Sequence, residues 1–485
     1  MSLKYKALNG VKWTSISSII IAIIQIVQLS ILARYLEPSD FGLMAIVTII
    51  IGFSALFLDL GISASIIHKQ NITHVQLSSL YWLNIASGLV LFIIIYSLAP
   101  FLANFYNETE LIPIIQLLAI NFVISSLGSQ YGILFQKALK FNIMAKIGII
   151  SVVAGFVVAV SLAINGYGVY SLVYAALTNA IVNTSINIFI GIKEHRPSFI
   201  FKYHEITSMI SFGMFQMGER SINYFGSQFD IVLIGKLLGL EALGIYTVAK
   251  NLSMRPAQII NPIITRVTFP IMSKVQDDTA KLKNIYLKTI NYLSSVNFPI
   301  YILIAILAEP IVLTLFGEKW SDSIIILQIL SLYGAIRSIG NPAGTLLLAR
   351  GRADLGFYFN LVKFFFLPLI IYIGSYWELH GVAYSLLLFV IFFTFPSWYY
   401  IIKPLCGAGF KEYFWQILKP FIFTLIGGIF AYSVSILFGI KNMLIDAVVL
   451  SLVMGVIVLI LNILYNRAFT DILLELIGKR KKHDK

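Results

Sequence analysis

The chain has 485 residues, of which 59% are hydrophobic and only 12% charged, with a mean hydropathy of +0.88. That is too apolar for a soluble globular protein, and the net charge of +13 is distributed between apolar segments rather than gathered in a nucleic-acid-binding patch. A lone cysteine, Cys406, excludes a disulfide framework or a cysteine-based metal centre, and the six histidines are scattered near segment ends, so neither a metal nor a cofactor is expected.

A membrane-spanning helix needs about 20 predominantly apolar residues. Successive windows give fourteen: Trp13–Arg34, Phe41–Ile67, Leu77–Leu102, Leu111–Phe135, Ile143–Ile164, Gly168–Ile192, Ile206–Gly235, Leu243–Phe269, Ile285–Ala308, Ser323–Leu348, Phe357–Ser375, Gly381–Ile402, Phe414–Phe438 and Met443–Leu464. Segments this long exclude a β-barrel, whose strands would be near ten residues with alternating polarity. The expected fold is all-α, a polytopic membrane protein with about 14 transmembrane helices. The first segment follows Lys4, Lys6 and Lys12 like a signal peptide. Its apolar run is long and no small-residue cleavage site closes it, so it reads as a retained helix.

Positive charge orients the segments. Of the 35 Lys and Arg, only Arg34, Lys236, Lys319 and Lys441 fall at outer ends. Six lie within segments: Arg220, Lys250, Arg255, Arg266, Arg337 and Lys363. The others collect on the side of the N-terminus, which places both termini in the cytoplasm. Glu37, Asp40, Glu108, Glu110, Glu241, Glu309, Glu318, Asp322 and Glu378 fall on the outer side. No connection is long enough for a separate domain; those near His195–Glu205, Met272–Asn284 and Lys403–Tyr413 are simple connectors of about a dozen residues. The basic run from Lys479 to Lys485 reads as a solvated tail.

The chain aligns on itself. At an offset of 202, the stretch Arg34–Leu43 lies over Lys236–Ile245, with Gly42 on Gly244. At an offset of 212, Gln116 lies on Gln328, Gly128 on Gly340, Gly132 on Gly344 and Lys140 on Arg352. Helices 1–6 and 7–12 therefore read as two parallel repeats, each beginning on the inner side. The expected organisation is an N-lobe over 1–195, a C-lobe over 196–403, and helices 13 and 14 with the basic tail over 404–485. Transporters built on such repeats bind substrate near the bilayer midplane and rock one lobe against the other.

Three arginines, Arg220, Arg255 and Arg337, sit mid-segment with at least ten mostly apolar residues on either side. A charged side chain at that depth costs about 3 kcal/mol or more and faces a bundle interior or a watery cavity. In the seventh segment Gln216, Arg220, Asn223, Ser227 and Asp230 follow a spacing of 4, 3, 4, 3, which puts them on one helical face. The equivalent face of the first segment carries Thr14, Ser18, Gln25 and Gln28, and that of the eighth Asn251, Arg255, Gln258 and Thr265. Arg337 and Asn341 lie one turn apart in the tenth. For Gln25, Gln28, Ser227 and Asn341 two readings stand side by side, a pocket lining or interhelical hydrogen bonds. For the arginines a pocket for an anion is favoured, because a buried guanidinium needs a full set of acceptors. The expected substrate-binding residues are Arg220, Arg255, Arg337, Gln216, Asn223, Gln258, Gln25 and Gln28. The internal acids Asp59, Glu219 and Asp230 are candidates for ion coupling or for pairing with those cations. Pro256, Pro262, Pro270 and Pro342 mark bends.

Several stretches resemble a known family. They are Ser211–Phe215 running to Phe229–Gly235, then Leu243–Tyr246, Phe269–Ser273, Tyr35–Gly42, Leu134–Phe141 and Ala349–Asp354. They are similar to the polysaccharide transporter branch of the MATE-like multidrug/oligosaccharidyl-lipid/polysaccharide exporter superfamily, over nearly the whole chain. The resemblance implies a flippase that moves undecaprenyl-pyrophosphate-linked oligosaccharide units across the bacterial inner membrane. It also implies two six-helix lobes around a central cavity, and partners that include membrane lipids and the polymerase and export machinery of the same route. The family carries no universal catalytic motif, so the site residues rest on the polar stripes. Two other functions stay open. A drug or organic-cation exporter on the same fold should have an acidic or aromatic site, against which the positive interior argues. A membrane polymerase or glycosyltransferase should have a sizeable outer loop, and no nucleotide or metal motif is present.

Overall fold

The computed structural model describes residues 3–59, 62–69, 71–438, 442–466 and 468–470. Side chains are described for these except at 3–9, 11, 59, 64, 68, 208, 211–220, 222–223 and 225. The helices are α1 (Leu3–Tyr35), α2 (Pro38–Asp59), α3 (Ile62–His68), α4 (His74–Tyr106), α5 (Leu111–Lys137), α6 (Phe141–Ile164), α7 (Tyr170–Gly191), α8 (Tyr203–Leu237) and α9 (Gly239–Lys274). They continue as α10 (Thr279–Ile306), α11 (Ala308–Leu315), α12 (Ser323–Ala349), α13 (Ala353–Ser375), α14 (Glu378–Ser397), α15 (Lys403–Cys406), α16 (Phe410–Phe438) and α17 (Met443–Tyr465). A five-residue π-helical stretch, Trp398–Ile402, joins α14 to α15.

Among the described residues twelve helices are long and apolar enough to cross a membrane. The other two expected segments are α8 and α9, helical over 35 and 36 residues. The polar stripes that suggested a pocket also dilute their apolar character. α9 runs through Pro256, Pro262 and Pro270 as one helix. The segment expected over Phe41–Ile67 is instead two helices, α2 and the short α3.

The chain divides into two compact units, residues 1–244 and 245–485. This division falls well beyond residue 195 because α8 packs on the first unit. Tyr224 lies across Gly52, where an added Cβ would meet its hydroxyl oxygen at 2.2 Å, and donates a hydrogen bond to the Ile49 carbonyl at 3.2 Å. Nearer the start of α8, Ser65 donates to the Met209 carbonyl at 2.6 Å and the Gln76 amide to that of Glu205 at 3.3 Å. Elsewhere in this unit Asn84 donates to the Ser126 carbonyl at 3.1 Å and Gln130 to that of Leu77 at 2.9 Å, tying α4 to α5. Amide side chains act here as interhelical fasteners in an apolar solvent.

The turns aligned at an offset of 202 are packed on each other, backbone to backbone. A Cβ on Gly42 would lie 2.1 Å from the Leu240 carbonyl oxygen, and one on Gly244 1.8 Å from that of Pro38. Pro38 and Leu240 are also separated by 202. Such a reciprocal contact is the geometry of a local two-fold relation between the turns. Gly239, between α8 and α9, has φ +85°, a left-handed conformation that glycine adopts without a Cβ penalty.

The connection from α7 to α8 is strapped across the first turns of α4. The Trp82 indole donates to the Ser198 carbonyl at 2.8 Å, the Ser198 N–H to the Ser78 hydroxyl at 3.1 Å, and the Lys202 N–H to the Ser79 hydroxyl at 2.9 Å. His195 is buried at 7% exposure, its ring 4.9 Å from that of His74. Burial, and secondarily the His74 ring, push His195 below the usual imidazole range. A lowered folded-state pKa means that the unfolded strap binds protons more readily. The strap is therefore fully stable above pH about 6.5 and loses stability as pH falls below that value. Amide protection factors over 193–202 should fall as the pH drops from 7.5 to 5.5, and His195→Leu should flatten that dependence. Equal protection at both pH values in the wild type would refute the assignment.

In the second unit α10 is the central helix. The Asn297 amide donates to Asn261 Oδ1 at 3.0 Å and the Asn261 amide to the Ser338 carbonyl at 2.9 Å, linking α10, α9 and α12 through buried groups. Asn291 donates to Gln416 Oε1 at 3.1 Å on α16, and Asn466, just after α17, to the Ser295 hydroxyl at 3.1 Å. Around these polar ties pack Tyr286, Phe298, Tyr301, Leu346, Trp398 and Cys406. The Cys406 thiol donates to the Ile402 carbonyl at 3.2 Å, so the single cysteine is a packed helix residue.

Candidate functional site

The expected site residues fall into three groups. The side chains of Gln216, Glu219, Arg220 and Asn223 on α8, and of Asp59 on α2, lie outside the described residues. Gln25 and Gln28, half-buried on α1, and Asp230 on α8 belong to the first unit. Asp230 is buried at 8% exposure, with Oδ1 accepting from the Ile231 N–H at 2.9 Å. Arg255, Gln258 and Arg337 belong to the second unit.

Arg255 is half-buried on α9 immediately before Pro256. Proline removes a donor from the helical ladder. The next N–H, that of Ala257, donates to the Tyr301 hydroxyl on α10 at 3.2 Å. The Tyr301 ring in turn covers Gly334 of α12, where an added Cβ would sit 2.6 Å from Cε1 and 3.1 Å from Met254 Cε. A glycine at 334 therefore lets α12 approach the turn of α9 that carries Arg255. Gln258, one turn on, is exposed.

Arg337 lies one turn beyond Gly334. Its Nη1 donates to the Tyr333 hydroxyl at 3.0 Å, and its guanidinium carbon is 5.7 Å from that ring's centre. Arg337, Asn341, Gly344 and Leu348 follow the 4, 3, 4 spacing of one helical face, and all four are exposed. A Cβ added at Gly340 or Gly344 would meet no atom within 4 Å. That face of α12 thus opens onto space rather than onto neighbouring helices.

A further cation, Lys363 of α13, was not among the residues expected from sequence. Its Nζ lies 4.5 Å from the Phe359 ring centre and 5.8 Å from that of Phe393 on α14. The signal available in the sequence was its position, mid-segment in an apolar run. It was counted among the charges within segments but belongs to no polar stripe, and so was not placed in the expected site.

Ion pairs among the described residues include Lys140–Glu194, Lys202–Glu205, Lys281–Asp278, Lys283–Glu412 and Arg352–Asp354, and these five lie near helix ends. None of these pairs includes Arg255 or Lys363. A set of mid-helix cations with aromatic and amide neighbours can bind an anion and hydrogen-bond hydroxyl groups. No group of three or more His, Cys, Asp or Glu side chains that could hold a metal occurs among the described residues.

Comparison with known proteins places this architecture. The profile of the family described as polysaccharide biosynthesis protein matches residues 31–325. The lipopolysaccharide biosynthesis protein WzxC of Escherichia coli (strain K12) is 34% identical over 437 residues, covering 90% of this chain and 89% of that protein. The teichuronic acid biosynthesis protein TuaB of Bacillus subtilis (strain 168) is 35% identical over 442 residues, covering 90% of each. Among solved structures, the lipid II flippase MurJ in an inward closed conformation has a TM-score of 0.75 at 14% identity, covering 95% of this chain and 99% of that one. A multidrug resistance MATE family transporter in an inward-facing conformation has a TM-score of 0.62 at 15% identity, covering 80% of this chain and 96% of that one. These two likenesses establish an all-helical, MurJ- and MATE-like membrane fold. With more than half its length matched by the family profile and nine-tenths by relatives about a third identical, the chain belongs to the polysaccharide biosynthesis protein family.

Proposed function

We propose that this protein is a transporter rather than an enzyme, a flippase that carries an undecaprenyl-pyrophosphate-linked oligosaccharide across the bacterial inner membrane by alternating access. The observation that carries the reading is the mid-helix position of Arg255, Arg337 and Lys363, cations at a depth where a charge needs a counter-charge. A lipid-linked diphosphate supplies that charge, its sugars hydrogen-bond to amide side chains, and its polyprenyl tail stays in lipid. The names of the relatives, in lipopolysaccharide and teichuronic acid biosynthesis, support the same chemistry. In this reading Arg220, Arg255 and Arg337 hold the anion, with Gln216, Asn223, Gln258, Gln25 and Gln28 contacting sugar, and Asp59, Glu219 or Asp230 serving ion coupling. Both termini are cytoplasmic, from the distribution of Lys and Arg. The two repeats span 1–195 and 196–403, with 404–485 added.

The test is flipping in proteoliposomes of a labelled undecaprenyl-pyrophosphate oligosaccharide, read by its accessibility to an added sugar-modifying enzyme. Protein-dependent movement is the expected result. The MATE likeness in fold makes an ion-coupled small-molecule exporter the second reading. Uptake of a cationic dye under an ion gradient, with no movement of the lipid, would establish that reading instead.

A further inference from the structure

The apolar span that begins at Glu378 runs through α14 and the π-helical stretch to Cys406. Lys403 lies 25 residues after Glu378. That is about 37 Å of helix, so the lysine stands at the far edge of a hydrocarbon layer about 30 Å thick. On the orientation proposed above, that edge is the cytoplasmic one.

The π-helical stretch decides what surrounds this lysine. In an α-helix Trp398 and Lys403 would point about 140° apart. Here the Lys403 N–H donates to the Trp398 carbonyl, five residues back, which brings the two side chains onto one face. Pro404 accounts for the widened turn, because its ring crowds the carbonyl four residues earlier, that of Tyr400, and it has no N–H to offer. The Lys403 ammonium consequently lies 5.5 Å from the Trp398 ring centre and 5.4 Å from that of Tyr399. Trp398 is a fixed wall: it is buried, and its indole donates to the Ala408 carbonyl at 3.0 Å. Tyr399 and Tyr400 are exposed.

The two rings attract the ammonium without neutralising it. Among the described residues the Lys403 side chain forms no ion pair or hydrogen bond, and the lysine itself is exposed. The carboxylate nearest in sequence, that of Glu412, is engaged by Lys283 at 3.1 Å and by the Gly409 N–H at 2.9 Å. Beside the lysine runs an apolar stripe. Tyr384, Leu388, Phe392, Phe395 and Tyr399 follow the 4, 4, 3, 4 spacing of one helical face, and all five are exposed. An exposed apolar face of this length on a spanning helix is a surface for lipid chains.

We infer that Lys403, framed by Trp398 and Tyr399, binds the phosphodiester headgroup of an anionic phospholipid whose acyl chains lie along the α14 stripe. The bound lipid anchors the connection from α14 to α16 at the membrane surface. Charge complementarity selects an anionic headgroup, and the stripe selects a lipid over a free phosphate, since only a lipid covers both. The ammonium offers three donors to phosphate oxygens, and the flanking rings exclude water and strengthen that attraction. Tyrosine and tryptophan suit the headgroup level, with one end apolar and the other wet. The site concerns lipid of the bilayer and does not depend on what the protein transports.

The test uses the full-length protein in nanodiscs of phosphatidylcholine, with and without phosphatidylglycerol. Bound lipid is read by native mass spectrometry, and reactivity of Lys403 toward an amine-directed reagent by peptide mass spectrometry. Phosphatidylglycerol should protect Lys403 and phosphatidylcholine should not. Lys403→Gln should lower phosphatidylglycerol retention about fivefold, the effect of one basic residue at an anionic surface, and Lys403→Arg should keep it. Lys411→Gln, which removes an exposed lysine outside the frame, should change retention little. Equal losses in Lys403→Gln and Lys411→Gln would overturn the inference in favour of a diffuse charge effect. Equal protection of Lys403 in both lipids would overturn it as well, leaving only shielding by the rings. Displacement of phosphatidylglycerol by inorganic phosphate would make the site one for free anions instead.

Discussion

Arg255→Ala and Arg220→Ala should each slow flipping at least tenfold while leaving the protein folded and inserted. A charge-assisted hydrogen bond contributes about 1.5 to 3 kcal/mol, which corresponds to roughly 10- to 150-fold in rate or affinity when it is lost. The fold itself should not suffer, since an arginine at bilayer depth is held there against its desolvation penalty. Arg255 makes the sharper test because its setting is visible. It is half-buried beside Pro256, on a turn of α9 fastened to α10 by the Ala257–Tyr301 hydrogen bond. Removing the side chain leaves that fastening in place. Arg255→Lys should recover part of the rate, as charge is kept and the planar fork is lost. The measurements are initial flipping rates in proteoliposomes and thermal unfolding of the same preparations. Wild-type transport by both alanine variants would remove these arginines from the site. A large fall in unfolding temperature would give them a structural role instead.

Gly244→Ala should both destabilise the protein and abolish most transport. The added methyl would sit 1.8 Å from the Pro38 carbonyl oxygen, and no side-chain rotation can relieve a clash with backbone. The turns must separate by more than 1 Å, given that real contacts of a Cβ lie beyond about 3 Å. Overpacking of this kind costs about 1–3 kcal/mol. Gly42→Ala should have nearly the same effect, because its methyl would meet the Leu240 carbonyl oxygen at 2.1 Å in the reciprocal arrangement. Once one substitution has parted the turns, the second should add little, so the double variant should fall well short of additivity. Transport should suffer beyond the loss of stability, because Gly244 stands in the first turns of the helix that carries Arg255. Independent, fully additive effects at the two glycines would contradict the reciprocal contact.

The two predictions were legible in the chain to different degrees. Arg255 could be singled out from sequence alone, because a cation inside a long apolar run is conspicuous without any knowledge of its neighbours. Gly42 and Gly244 could be paired by the offset of 202, but nothing in that alignment said that the paired turns touch. Lys363 shows the opposite limit. It was counted as a charge within a segment and passed over, since one of its aromatic faces, Phe393, comes from a different helix. The connection near His195–Glu205 read as a plain linker, and the structure straps it to α4 through Trp82, Ser78 and Ser79.

Helices, their apolarity, the mid-segment cations and the alignment of the turns around Gly42 and Gly244 were all legible in the sequence itself. Each depends on local spacing: hydrophobic run length, helical periodicity and the charge at a given depth act through neighbours along the chain. Which rings face Lys363, why α8 belongs with the first unit, and which asparagines fasten α10 to α9, α16 and the residue after α17 were decided only by tertiary structure. Those choices rest on contacts between residues far apart in sequence. In an apolar solvent, where helix faces are similar in hydrophobicity, close packing and a few buried hydrogen bonds select among them.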